Sequence, residues 1–188
     1  MLNRLRKLRV DNRGVAAIEF ALALPMLIAL LIGCLEVTFK IWSTQKAEKL
    51  SVTLSDVIAQ STAVTNSDLV SLTGAVDKIM DPFPFGADEG KIIISSIYVT
   101  QGETDAKVNW QCFFPPSGGF SAVSRLGIKD ATANLPAGFT LAPKDNIIVT
   151  EVFYKYKPIA PGLMFDESIV YRRALFKPRL GTLIVNPC

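Results

Sequence analysis

Histidine is absent from this 188-residue chain, which removes the side chain most often used as a general base or metal ligand near neutral pH. Cysteine is nearly absent, with only Cys34, Cys112 and Cys188 present. Cys34 falls inside a long apolar run, and the other two thiols lie too far apart in sequence for the clustered ligands of a zinc site. There is no Gly-x-Ser-x-Gly elbow and no glycine-rich phosphate loop. The acidic pairs Asp88-Glu89 and Asp166-Glu167 stand in turn-like segments and are expected to be solvated. A catalytic carboxylate pair would have to come from residues distant in sequence. No enzymatic activity, metal or cofactor is therefore expected. Internal repeats and low-complexity tracts are also missing.

Positive charge is concentrated at one end. Arg4, Arg6, Lys7, Arg9 and Arg13 against Asp11 give residues 1–14 a charge of +4, so the remainder carries −1 of the net +3. The basic balance thus belongs to a leader, and it argues against a nucleic-acid surface on the rest of the chain. Basic residues ahead of an apolar span hold that end in the cytoplasm, which puts the C-terminal part across the membrane.

Residues 15–35 form that span, and Glu19 is their single charge. As a helix they measure roughly 32 Å, enough to cross a bilayer core. Lys40 and Trp42 follow where interfacial anchors belong. Glu36 is expected at the far interface, with Lys40 four residues on as an ion-pair partner. Residues 36–60 contain no glycine or proline, and Leu50, Leu54, Val57 and Ile58 recur at helical spacing, with Lys46, Glu48, Lys49 and Asp56 on polar faces. One helix is predicted over residues 15–60, membrane-embedded over 15–39 and amphipathic over 40–60. Pro25 should kink it or locally unwind it.

An exported α+β head is expected over residues 61–188. Thr65-Asn66-Ser67-Asp68 reads as an N-cap. The stripe Leu69, Leu72, Val76, Ile79 and Met80 predicts one short helix, ended by Asp81-Pro82. Strands are predicted over 91–100, 107–114, 146–157 and 168–177, with Ile148, Val152, Tyr154 and Tyr156 on one face. A short edge is expected over 183–185, and residues 120–145 read as irregular. The sum is a mostly antiparallel sheet packed on the helices, with Tyr98, Trp110, Phe113, Phe114, Phe153, Tyr154 and Tyr156 in its core. Cys112 and Cys188 both fall beyond the span, on the oxidising side, so a disulfide between them is expected. The alternative is two free thiols.

A glycine closing a basic leader, with a glutamate five residues later, is the pattern of a class III signal peptide read by a prepilin peptidase. An ordinary secretory signal places its small residues after the apolar core; here Gly14, Ala16 and Ala17 come before it. Residues 13–25, Arg-Gly-Val-Ala-Ala-Ile-Glu-Phe-Ala-Leu-Ala-Leu-Pro, are similar to the N-terminal signature of TadE-like proteins, the pseudopilins of tight-adherence (Flp-type) pilus systems. The resemblance implies that Gly14 precedes the scissile bond, that Val15 becomes the new N-terminus, and that Glu19 and Phe20 are the Glu-Phe pair. Pro25 also fits the family pattern. It covers about residues 13–45. TadG-like relatives share this N-terminus but usually carry a larger exported domain, and Flp major pilins are typically much shorter, so a minor pilin or assembly factor is implied.

The resulting expectation is a single-pass inner-membrane protein with a cytoplasmic N-terminus and a periplasmic head, also able to enter an extracellular pilus. Its implied partners are a prepilin peptidase, other pilin-like subunits, the Tad inner-membrane assembly machinery and the membrane itself. Glu19 would neutralise the freed α-amino group of a neighbour's Val15; otherwise it merely snorkels to interfacial water from barely one turn inside the helix. The rival reading of the whole chain is an uncleaved, signal-anchored periplasmic scaffold or binding module.

Overall fold

The structure, a computed structural model, describes residues 14–116, 119–162 and 165–188. The predicted leader therefore lies, but for Gly14, outside the described residues. Helix α1 (Val15–Ala59) runs unbroken for 45 residues. It is helical on both sides of Pro25 and is not unwound there. The proline ring still leaves the Ala21 carbonyl without its usual backbone donor.

The second half of α1 is packed by the small residues that recur along it. Ser43, Ala47, Ser51, Ser55 and Ala59 follow one another at every fourth position, and all are buried. Residues four apart share a helix face, so this stripe lets the helix lie close on the sheet. The Ser55 hydroxyl donates to the Ala174 carbonyl at 3.3 Å. Leu50, Leu54 and Ile58 flank the stripe and enter the core, whereas Val57 is exposed. At the C-terminal end of α1 the Arg179 N–H donates to the Ala59 carbonyl at 2.8 Å, and the Arg179 guanidinium reaches Asp56 at 2.6 Å.

The expected single short helix is two: α2 (Asn66–Thr73) and α3 (Val76–Met80). Thr65 and Asp68 form a reciprocal capping box at the start of α2. The break falls at Gly74, where glycine is the poorest helix former after proline and Ala75 N–H turns to the Leu72 carbonyl.

Four antiparallel strands follow, β1 (Gly90–Tyr98), β2 (Lys107–Phe114), β3 (Asn146–Tyr156) and β4 (Ser168–Phe176), in the order β2-β1-β3-β4. This is the expected α+β architecture. Its first face, with Ile92, Ile94, Trp110, Ile148, Val152, Tyr154 and Tyr156, packs against α1, α2 and α3. Ser96 and Ile97 of β1 pair with Trp110 and Val108 of β2, so Asn109 is an extra residue in β2. Such a bulge reverses side-chain alternation, which sends Trp110 to the helix face and Val108 to the other. Phe113, expected in the core, points outward and is exposed.

The second face is covered by the irregular segment between β2 and β3. Phe120 packs on Ile93 and Phe153, while Leu126, Ala133, Leu135 and Leu141 pack on Ile97, Val108, Ile147 and Val149. Glu151, fully buried on this face, accepts from the Ser124 hydroxyl, the Arg125 backbone N–H and the Tyr171 hydroxyl. β3 is thereby buried on both sides. The predicted edge strand over 183–185 does not form. Instead side chains hold the tail: Trp110 Nε1 and Ser96 Oγ donate to the Leu183 carbonyl, and Leu183 N–H donates to Asn146 Oδ1. These donors are spaced for one carbonyl, not for a ladder.

Candidate functional site

The residues singled out at the N-terminal end lie on a bare helical arm. Every residue from 14 to 31 is exposed, including Gly14, Val15, Glu19, Phe20 and Pro25. Among the described residues, α1 is the one helix long and apolar enough to cross a membrane, and its most apolar 18 residues are not buried by the head. Ile18, Phe20, Leu22, Met26, Leu27, Leu30 and Leu31 are all open to their surroundings. Each such side chain gains about 1.5–3 kcal/mol when fully removed from water, so the arm needs an apolar environment that the head does not supply. A single-pass membrane protein fits this arrangement.

Among the described residues, nothing requires glycine at position 14. Its backbone is right-handed helical, φ −85° and ψ −13°, where any L-residue is comfortable. A Cβ built there would meet nothing within 4 Å among the described residues. Glu19 lies one turn past Val15, on the same arm, and its carboxylate receives no hydrogen bond from the described residues. The signature residues therefore share one exposed helical segment, and none of them serves the head.

Glu36 departs from its expected role. It is 0% exposed and does not pair with Lys40. Its carboxylate accepts from the Tyr156 hydroxyl at 2.9 Å and from the Ala160 backbone N–H at 2.6 Å. The Lys40 ammonium instead sits 4.2 Å above the Phe165 ring. Burial favours this outcome, because a carboxylate taken out of water needs donors of its own, and the end of β3 and the β3–β4 connection bring one each. Burial, then the hydrogen bond and charge of Glu36, push the Tyr156 phenol up to about 12. A phenol whose folded pKa is raised contributes stability that is complete below its ordinary value near 10 and is lost as the pH rises through about 12. Glu36→Ala should take the acceptor from the Ala160 N–H, leave the Tyr156 phenol only the Glu36 main-chain carbonyl at 3.3 Å, and destabilise the head by about 1–3 kcal/mol. It should also bring the Tyr156 titration back toward its ordinary range. Urea unfolding followed by the fluorescence of buried Trp110, with an ultraviolet tyrosinate titration, checks both effects.

Around this junction Trp42 stacks with Phe39 and meets Phe83 edge-on, with centroids 6.2 and 5.4 Å apart. At the other end of the chain Cys112 and Cys188 are joined, with Cα atoms 5.9 Å apart, inside the range a disulfide requires. Cys34 is free and exposed.

Little else is arranged for chemistry. Among the described residues, no three His, Cys, Asp or Glu side chains converge to hold a metal. A hollow of about 380 Å³ beside α2 and α3 is lined by Val70, Val76, Phe85, Ile92, Phe114 and Pro116, with Asp77 as its one charged residue. Sequence reasoning missed both buried carboxylates. Glu151 carried a signal, a lone charge in the alternating apolar face Ile147, Val149, Glu151, Phe153. Glu36 had only its place at the end of an apolar run.

Residues 14–51 match the family model of TadE-like proteins. The matched segment contains the whole bare arm and the first turns of α1 that the head covers. No curated protein and no solved structure matches the chain.

Proposed function

From a TadE-like segment over residues 14–51, we propose that this chain is a minor pilin or pseudopilin of a Tad (Flp-type) pilus. It inserts in the inner membrane through residues 15–35, with its head in the periplasm. A prepilin peptidase removes the leader after Gly14, and the mature chain acts with other pilin-like subunits and the Tad inner-membrane machinery in pilus assembly or initiation.

The observation that carries this reading is a glycine that nothing among the described residues requires, standing immediately before an exposed apolar helix that carries Glu19 and Phe20. A peptidase that needs a small residue before the cut supplies the missing reason. The arm's exposure supports the rest. In the bilayer its neighbours are lipids, and in an assembly they are the helices of other subunits, so the same apolar surface serves in both places. Glu19 then balances the α-amino group that cleavage creates on Val15 of an adjacent copy or pilin. A lone carboxylate facing lipid would be costly by several kcal/mol on most estimates.

Glu19→Ala should therefore leave leader removal largely intact and reduce incorporation into the assembly, while membrane insertion improves slightly because a costly charge is gone. Pilus shearing with immunodetection of the chain, alongside its level in the membrane fraction, measures both. Wild-type incorporation of the alanine variant would assign Glu19 to snorkelling alone.

A further inference from the structure

The β3–β4 connection is fastened to α1 at the level where the apolar run ends. Glu36 is the first residue after that run, and its carboxylate takes the Ala160 backbone N–H at 2.6 Å and the Tyr156 hydroxyl at 2.9 Å. One turn further on, Phe165 lies under the Lys40 ammonium. The run is roughly 32 Å long as a helix, against a hydrocarbon core of about 30 Å. With residues 15–35 in the bilayer, Ala160 is therefore held at the boundary between acyl chains and headgroups.

The side chains of this turn match that position. Ile159, between the two points where Glu36 grips the chain, is 63% exposed, and Pro161 and Gly162 beside it are also exposed. Ile159 extends from the end of β3, a strand buried on both faces, and is not itself covered by the head. Lys40 and Lys157 flank it, Lys157 also reaching Glu89 at 3.3 Å; of the two acids that follow, Asp166 is exposed and Glu167 is paired with Lys155 at 2.8 Å. Apolar side chains at the acyl boundary with lysines at phosphate level are the composition of an interfacial anchor.

We infer that residues 157–162 seat on the outer leaflet of the bilayer that holds α1, with Ile159 entering the headgroup–acyl boundary and Glu36 fixing the depth. The partner is a lipid surface. This inference rests on the membrane reading of residues 15–35 and goes beyond it, because it fixes how the head stands on the membrane before assembly.

The test uses the full chain with Cys34→Ala, the Cys112–Cys188 bond left oxidised, and one environment-sensitive thiol label introduced by Ile159→Cys. Two further chains carry the label through Leu22→Cys, in the bare arm, or Gln101→Cys, in the β1–β2 turn at the opposite end of the sheet. Each is reconstituted in phosphatidylcholine–phosphatidylglycerol vesicles. The expected result is a blue shift, loss of quenching by aqueous iodide and gain of quenching by lipids brominated near the headgroup for the label at 159. The label at 101 should keep full iodide quenching. A label at 159 that behaves like that at 101, while the label at 22 is lipid-quenched, overturns the inference and leaves the membrane span standing. A label at 22 open to iodide would instead overturn the span, and the inference with it.

Discussion

Replacing Cys188 with serine should lower the stability of the head by roughly 4 kcal/mol, the loop-closure entropy for a bond between residues about 76 apart in sequence. That is a large share of the roughly 5–15 kcal/mol that holds a typical domain together. The bond ties the last residue of the chain to β2, two residues from buried Trp110. Without it, the tail keeps the hydrogen bonds that Trp110, Ser96 and Asn146 make with Leu183 and the one that Asn109 donates to the Ile184 carbonyl. Those bonds keep Leu183 seated in the folded state but do not restrict the unfolded chain. The variant should therefore fold to the same structure with a much lower denaturation midpoint, and reductant should do the same to the wild type. Equal urea midpoints with and without reductant would contradict the expectation.

Glu151→Ala should have an effect of similar size through a different cause. The wild-type carboxylate is the shared acceptor for Ser124, Arg125 and Tyr171, and a hydrogen bond to a charged group contributes about 1.5–3 kcal/mol. Removing it should destabilise the head by about 3 kcal/mol or more and release the irregular segment from the sheet. Glu151→Gln should rescue little, because its amide brings new donors to a site already crowded with donors. Burial first, and the charge of Glu151 next, hold the Tyr171 phenol well above its ordinary range, so its titration should move down in the alanine variant. Hydrogen exchange resolved by segment distinguishes the two variants. Glu151→Ala should raise exchange mainly over residues 120–135, and Cys188→Ser mainly over the tail and β2.

Where local chemistry decides structure, the sequence was readable. β2 has the bounds that its alternation and following Pro115-Pro116 predict, and the other strands differ from expectation by two residues or fewer at either end. The Thr65–Asp68 box marked the start of α2, since an N-cap depends on four consecutive residues. The signature over residues 13–25 was legible for the same reason.

Long-range decisions were not readable. Phe120, Leu126, Leu135 and Leu141 have neither helical nor strand spacing, so nothing local announced that an irregular segment would become the third layer. The Ser-Ala-Ser-Ser-Ala stripe of α1 looks polar by composition and becomes a packing face only because a sheet lies against it. Glu36 stands in sequence as an interfacial residue beside Lys40. Its burial follows from Tyr156 and Ala160, more than a hundred residues away. The edge expected over 183–185 failed because bulge and side-chain geometry at Asn109 and Trp110 captured the tail first.

The most direct test of the pilus assignment is the intact mass of the membrane-extracted protein from cells with an active prepilin peptidase. The account predicts a chain that begins at Val15 and has lost residues 1–14, together with a Gly14→Leu variant that inserts normally and keeps them. A wild-type mass that includes residues 1–14 would contradict it, and would leave the chain as an uncleaved, signal-anchored periplasmic module.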